Sequence, residues 1–136
     1  YKRQELDEFK LMQHIISRKA IFLSTPFSKQ AVDRLVKFDV PAFKIGSGEC
    51  NNYPLIEHIA SFKKPIILST GMNNIKNIEI AVNILKKHKV KHVLLHCTNL
   101  YPTPFHLVRL GGMQELMNEF NDIPIGLSDH TLNNLS

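Results

Sequence analysis

Five short apolar runs, each closing on polar residues, constrain this chain more than any other feature. They are residues 20–25 (AIFLST), 42–47 (AFKIGS), 65–70 (PIILST), 92–98 (HVLLHCT) and 124–128 (PIGLS). Each is short and rich in Ile, Leu, Val or Phe, as strands buried on both faces are. Three begin at or just after a proline, a position a strand tolerates. Helical patterns lie between them. The clearest covers 74–88, where Ile75, Ile78, Val82 and Leu85 recur at spacings of three and four while Lys76, Lys86 and Lys87 take other faces. Leu6, Phe9, Met12 and Ile16 predict a helix before the first run, and Ala31, Val32, Leu35 and Val36 one after it. Shorter helices are predicted near 53–61 and 107–120. The order α-β-α-β-α-β-α-β-α-β implies parallel βαβ units. The ends Thr25, Ser47, Thr70, Thr98 and Ser128 follow one another by 22, 23, 28 and 30 residues.

Two architectures fit that order: an open doubly wound sheet, or part of a (β/α)8 barrel. The phosphate-loop fingerprints of the first are missing. Gly46 and Gly48 give G-x-G, but Asn51 stands where the third glycine belongs, and no G-x-x-x-x-G-K-[ST] occurs. The strand ends favour the barrel. Ser24 and Thr25, Ser47 and Glu49, Ser69 and Thr70, His96, Thr98 and Asn99, and Ser128, Asp129 and His130 all fall where barrel strands converge on one site. One such end is ordinarily a helix cap. Five of them, with Lys44, Glu49 and His130, predict a shared polar pocket.

Composition narrows the partners. A chain of 136 residues is one domain at most, and 43% apolar with 21% charged residues is ordinary for a globular protein. The net charge of +5 leans weakly toward an anionic ligand. With no run of five like charges, no Trp and three Tyr, a nucleic-acid partner is not expected. No stretch approaches the ~20 apolar residues of a membrane span. Cys50 and Cys97 have no metal spacing, so they are read as reduced thiols and the expected location is cytoplasmic. The chain begins at Tyr1 inside a helical pattern and ends at Ser136 just after a loop, which reads as a piece of a longer protein.

Several residues carry two readings. Lys44 lies between Phe43 and Ile45 and before Gly-Ser-Gly. It is a lysine snorkelling at a strand edge, or a cation for an anionic group, or a nucleophilic amine. Glycines after it would leave backbone N–H groups for a phosphate. Glu49 is a solvated loop charge or a site carboxylate. His130, in S-D-H-T, is a satisfied histidine, a metal ligand or an acid-base group. His92 and His96 share a strand face, with His96 expected on the pocket side and His92 nearer the strand entrance.

The stretches KIGSGECNNYPLI, KPIILSTGM, LLHCTNLYPTP and IGLSDHT, with FLSTPFS upstream, resemble the bacterial N-acetylneuraminate (sialic acid) synthases and their legionaminic and pseudaminic acid relatives. The wording of SGECNNYP is closer to the neuraminate and legionaminate groups. The resemblance runs over essentially the whole chain. It implies a (β/α)8 barrel, of which residues 1–136 would be the central portion, the third to the seventh strand, or about five βα units. A C-terminal antifreeze-like domain would lie outside this chain, and the full-length protein is expected to be a homodimer. The implied reaction condenses phosphoenolpyruvate with N-acetylmannosamine, or a related N-acetylated amino sugar, and water to give a nonulosonate and phosphate. By that resemblance Thr25, Lys44, Ser47, Ser69, Asn99 and Ser128 would hold phosphoenolpyruvate. Glu49 and Tyr101 would face the sugar, and Glu49 and Lys44 are the candidate catalytic residues. His130 would be one of two histidines holding Mn2+ or Mg2+. The second histidine would lie outside the chain, so this piece alone is expected to be inactive. Two rivals remain open: a Schiff-base aldolase using Lys44, and a barrel piece that only binds a partner.

Overall fold

A computed structural model describes residues 2–132, with side chains from Glu5 onward. The elements are α1 (Lys2–Ser17), α2 (Lys29–Lys37), β1 (Phe43–Ile45), α3 (Tyr53–Ser61), β2 (Ile66–Ser69), α4 (Ile75–Lys87), β3 (His92–Cys97), α5 (Gly111–Glu119) and β4 (Ile125–Ser128). Single 3-10 turns follow β1, at Ser47–Glu49, and precede α5, at Phe105–Leu107.

The four strands are parallel and lie in the order β1-β2-β3-β4. A doubly wound sheet reverses its strand order at a switch point. This one never reverses, and right-handed crossovers in unbroken sequence place every helix on the same face. The fold is therefore an arc of a (β/α)8 barrel. Register fixes the faces. Phe43, Ile45, Ile66, Leu68 and Leu94 share the helix side and are fully buried. Each such side chain contributes about 1.5–3 kcal/mol of burial. The alternate residues Lys44, Ile67, Ser69, Val93, Leu95, Cys97, Gly126 and Ser128 line the concave side.

The first apolar run does not become a strand among the described residues. Residues 20–25 have no regular secondary structure, and one backbone bond ties them to the sheet, from Lys44 N to Ser24 O at 3.4 Å. One long bond does not make a ladder. Burial still alternates: Phe22 enters the core while Ile21 and Leu23 stay exposed. The expected five-strand count is thus corrected to four paired strands and one irregular flank.

The helix boundaries follow from local chemistry. Ser28, Asn52 and Asn74 each accept a hydrogen bond from the backbone N–H three residues on and so cap α2, α3 and α4. The helix C-termini repeat one closure. Ala20, Val40 and Val90 N–H groups reach back five residues to Ile15, Leu35 and Leu85 carbonyls. Lys19, Asp39 and Lys89 take the left-handed conformation that this closure needs. The turns after α2 and α4 lead the chain into β1 and β3.

Candidate functional site

Parity decides which polar strand ends meet. Ser69 precedes Thr70, so only Ser69 is concave; Thr70 bonds back to Leu95 O through both its N–H (3.0 Å) and its hydroxyl (3.1 Å). Thr98 turns outward and donates to Leu107 O and Val108 O at 3.0 and 3.1 Å. Ser24 lines a crevice with α2. His96 is packed but not on the pocket side. It shares the helix-facing side with Leu127, its Nε2 meets Val108 O at 3.0 Å, and its ring lies under Gly112. The expectation for His96 fails because it reads chain position without the face. His92 opens β3, as expected, with Nδ1 2.7 Å from Val90 O.

The residues left on the concave side form a cluster. Lys44 Nζ donates to Ser69 Oγ at 2.5 Å and to Ile45 O at 3.1 Å, bridging β1 and β2. Burial holds the Lys44 pKa below the usual lysine value, with Cys97 nearby opposing that shift. Ser47 Oγ accepts from Gly71 N at 3.0 Å. Cys97 donates its thiol proton to Asn99 Oδ1 at 3.3 Å. Beyond Cys97 stands His130, whose Nε2 is 3.6 Å from Sγ. Tyr101 meets the His130 ring edge-on at 5.2 Å, and Thr103 N donates to His130 O at 2.8 Å, tying the two loops together. Ser128 pairs with Cys97 in the register.

The cluster is wired in one sense. Ser47 and Ser69 are buried, and each hydroxyl oxygen accepts from a neighbour while its own proton meets no acceptor among the described residues. Asn99 has its carbonyl oxygen engaged by the thiol, and its amide nitrogen donates to no described residue. A lysine has three donors and no acceptor, and two of those on Lys44 are used. The hydrogens left over are those of the Ser47 and Ser69 hydroxyls, the Asn99 amide and the third position on Lys44, from the ends of β1, β2 and β3, while each serine oxygen keeps a second lone pair. A set of donors with one cation suits an anion.

Other expected residues stand apart from this cluster. Thr25 lines the same crevice with α2 as Ser24, and its methyl lies 3.9 Å from the Cβ position of Gly46. Glu49 Oε2 accepts from Asn52 Nδ2 at 2.6 Å, so its carboxylate braces the cap of α3. Gly46 and Gly48 are not the points of close approach: nothing lies within 4 Å of a Cβ on Gly48. That point is Gly71. A Cβ there would stand 2.5 Å from Cys97 O, 2.7 Å from Asn99 Oδ1 and 3.0 Å from Ser47 Oγ. Gly71 and Asn73 carry no expectation from the sequence, and Cys97 only that of a reduced thiol. Two signals were legible: a glycine directly after a strand end, and a cysteine two residues before Asn99, hence on its face.

Among the described residues no three His, Cys, Asp or Glu side chains gather to hold a metal. His130 offers one imidazole. Asp129, expected beside it, turns its oxygens to Thr131 N and Oγ1, both at 2.9 Å. These hydrogen bonds hold its carboxyl below the usual value. His130 therefore supplies one ligand position, and a metal site needs further donors.

Fold and site together define a (β/α)8-barrel protein whose strand C-termini present hydrogen-bond donors on the concave side. The chain belongs to the NeuB family, whose model matches residues 2–136. It is 46% identical over 124 residues to the N,N'-diacetyllegionaminic acid synthase of Campylobacter jejuni, covering 89% of this chain and 37% of that protein. It is 40% identical over 133 residues to the enzyme of the same name from Legionella pneumophila, covering 94% and 37%. The crystal structure of N-acetylneuraminic acid synthetase from Leptospira borgpetersenii, in complex with citrate, superposes with a TM-score of 0.89 at 32% identity, covering 93% of this chain and 44% of that one. The chain thus spans about two fifths of the length of the curated relatives it matches. Among the described residues no helix is long and apolar enough to cross a membrane.

Proposed function

We propose that this chain is the phosphoenolpyruvate-holding part of a nonulosonic acid synthase. One observation carries the reading: Ser47, Ser69 and Asn99 each have an oxygen engaged by an internal donor, which leaves their hydroxyl and amide hydrogens, with the Lys44 ammonium, to serve an incoming anion. Phosphoenolpyruvate has two anionic groups and needs donors. Hydroxyls and an amide supply them without adding charge, and Lys44 offsets part of the ligand's charge. Thr25 and Ser128 complete the proposed contacts. Glu49 and Tyr101 are assigned to an N-acetylated amino sugar, and His130 to one coordination position of a divalent cation, Mn2+ or Mg2+, which would polarise the sugar carbonyl when bound. The likeness to legionaminic acid synthases supports the enzyme class.

In the reaction, C3 of phosphoenolpyruvate attacks the open-chain sugar aldehyde and a C–C bond forms. Water adds its oxygen to C2, the C2–O bond to phosphorus breaks, and phosphate leaves with the bridging oxygen. This chain's donors orient the enol ester and stabilise charge at its two ends. The test is an assay of the protein containing this chain with phosphoenolpyruvate labelled with 18O at the bridge. Labelled phosphate formed only in the presence of an N-acetylated amino sugar supports the reading. Unlabelled phosphate overturns it. Borohydride trapping of pyruvate on Lys44 would replace it with the Schiff-base aldolase.

A further inference from the structure

We propose that Asn73 is a positioning residue for the anion site, acting through Ser47; the inference rests on the reading just given. Regular pairing of β1 with β2 ends at Ile45 and Leu68. Beyond it the two chains run on into separate turns, and something else must hold them in register. Asn73 Nδ2 donates to Ser47 O at 3.0 Å and to Gly71 O at 2.7 Å, so one amide uses both hydrogens on the two turns. Between those carbonyls runs the bond from Gly71 N to Ser47 Oγ. Two hydrogen bonds thus clasp the turn after β1 to the turn after β2, and the third, from Asn73 to Gly71 O, braces the second turn internally.

The clasp has a chemical consequence. The Gly71 N–H occupies an acceptor position of the Ser47 hydroxyl, which leaves its proton for an incoming anion. Without Asn73, Ser47 can rotate and offer a lone pair instead, which repels the same anion. The backbone points the same way. Met72 is left-handed at φ 63, a conformation that costs an L residue, and its side chain is exposed with no packing to hold it there. The bend at Met72 swings Asn73 back across Ser47. Asn73 touches no proposed ligand position itself, so its effect is one of orientation.

The experiment uses the protein containing this chain, with Asn73→Asp, Asn73→Ala and Asn73→Ser. A carboxylate cannot donate to two carbonyls, and a serine hydroxyl can serve only one. The expected result is a KM and dissociation constant for phosphoenolpyruvate raised about tenfold or more in the Asp and Ala variants, the scale of losing a supporting hydrogen bond behind a ligand. Asn73→Ser should fall between these and wild type. The amino-sugar KM should stay within about twofold, because the loss is confined to one substrate. Unchanged phosphoenolpyruvate affinity overturns the proposal. So does a fall in melting temperature that weakens both substrates alike, since that is a structural role only. If wild type binds phosphoenolpyruvate but makes no nonulosonate, the functional reading fails, and the binding constants still decide the role of Asn73.

Discussion

The two ends of this sheet are built on opposite rules. At the C-terminal ends Lys44 bonds Ser69, Ser47 bonds Gly71 and Cys97 bonds Asn99, and the close contacts admit no extra atom at Gly71. At the N-terminal ends an apolar groove of about 640 Å3 opens among Pro65, Ile66, Val90, Ile123 and Pro124, rimmed by Lys86, Lys89 and Lys91. That groove is the roomier feature, but no functional side chains converge on it. Lys86 on its rim pairs with Asp122 at 2.8 Å, and Lys64 pairs with Asp39 at 2.6 Å elsewhere at this end. Exposed pairs of this kind contribute little. Space is not what marks the working end. Directed, desolvated donors are.

The sharpest way to break the contrast is Gly71→Ala. The added methyl collides with a backbone carbonyl that cannot move freely, so stability should fall by about 1–3 kcal/mol, as overpacking does. Phosphoenolpyruvate binding should vanish with it. Urea unfolding and calorimetric titration read the two effects, and an unaltered binding constant would show that Gly71 is not the pivot of the cluster.

Lys44→Met tests the cation. Phosphoenolpyruvate binding should weaken by about 2–5 kcal/mol, the cost of truncating one member of a buried charge pair. Stability should respond to pH with a definite sign. Burial depresses the Lys44 pKa below its usual 10.5, so between those values the unfolded chain holds the proton that the folded chain has lost. Wild-type stability relative to Lys44→Met therefore rises as pH climbs toward 10.5. A difference in urea midpoint that stays flat from neutral to alkaline pH contradicts the buried ammonium.

At the other end the effects should be smaller. Lys89 sits at φ 56, where glycine is the residue without a steric cost. Lys89→Gly should raise stability by about 0.5–1 kcal/mol, with phosphoenolpyruvate affinity unchanged. A loss of stability would mean that the lysine side chain holds this turn. The smallest change is expected for Asp39→Asn, which keeps a residue that tolerates the left-handed turn and removes only the charge. Lys64, by hydrogen bond and charge, holds the Asp39 carboxyl below its usual 3.8. The advantage of wild type over the variant should be present above that pH and lost as pH falls through the lowered value. It should also shrink with added salt.

How much was legible follows from what each signal encodes. Hydrophobic period and spacing exposed the alternation of strands and helices, and the quoted motifs pointed to the family. Residues 20–25 read as a strand because composition reports burial and extension, while a strand also needs a hydrogen-bonded neighbour. The strand-end hydroxyls read as one pocket because the sequence shows that they are terminal. It does not show on which face each one falls once register is set. Ser47 and Ser69 went inward and Thr70 and Thr98 outward by a shift of a single residue.

By itself, then, the sequence determined the alternation of helices and strands from residue 29 onward, the parallel α/β class, and a set of polar strand ends suited to an anion. All of these depend on neighbours within a few positions along the chain. Tertiary structure decided the rest. It joined Lys44 to Ser69 and Ser47 to Gly71 across 25 and 24 residues, and brought His130 beside Cys97 across 33. It also made Gly71 the crowded point and left Gly48 open. The physical reason is that a hydrogen bond depends on ångström-scale distance and direction between groups from different strands. Those are fixed by sheet register and face, which no single stretch of sequence contains.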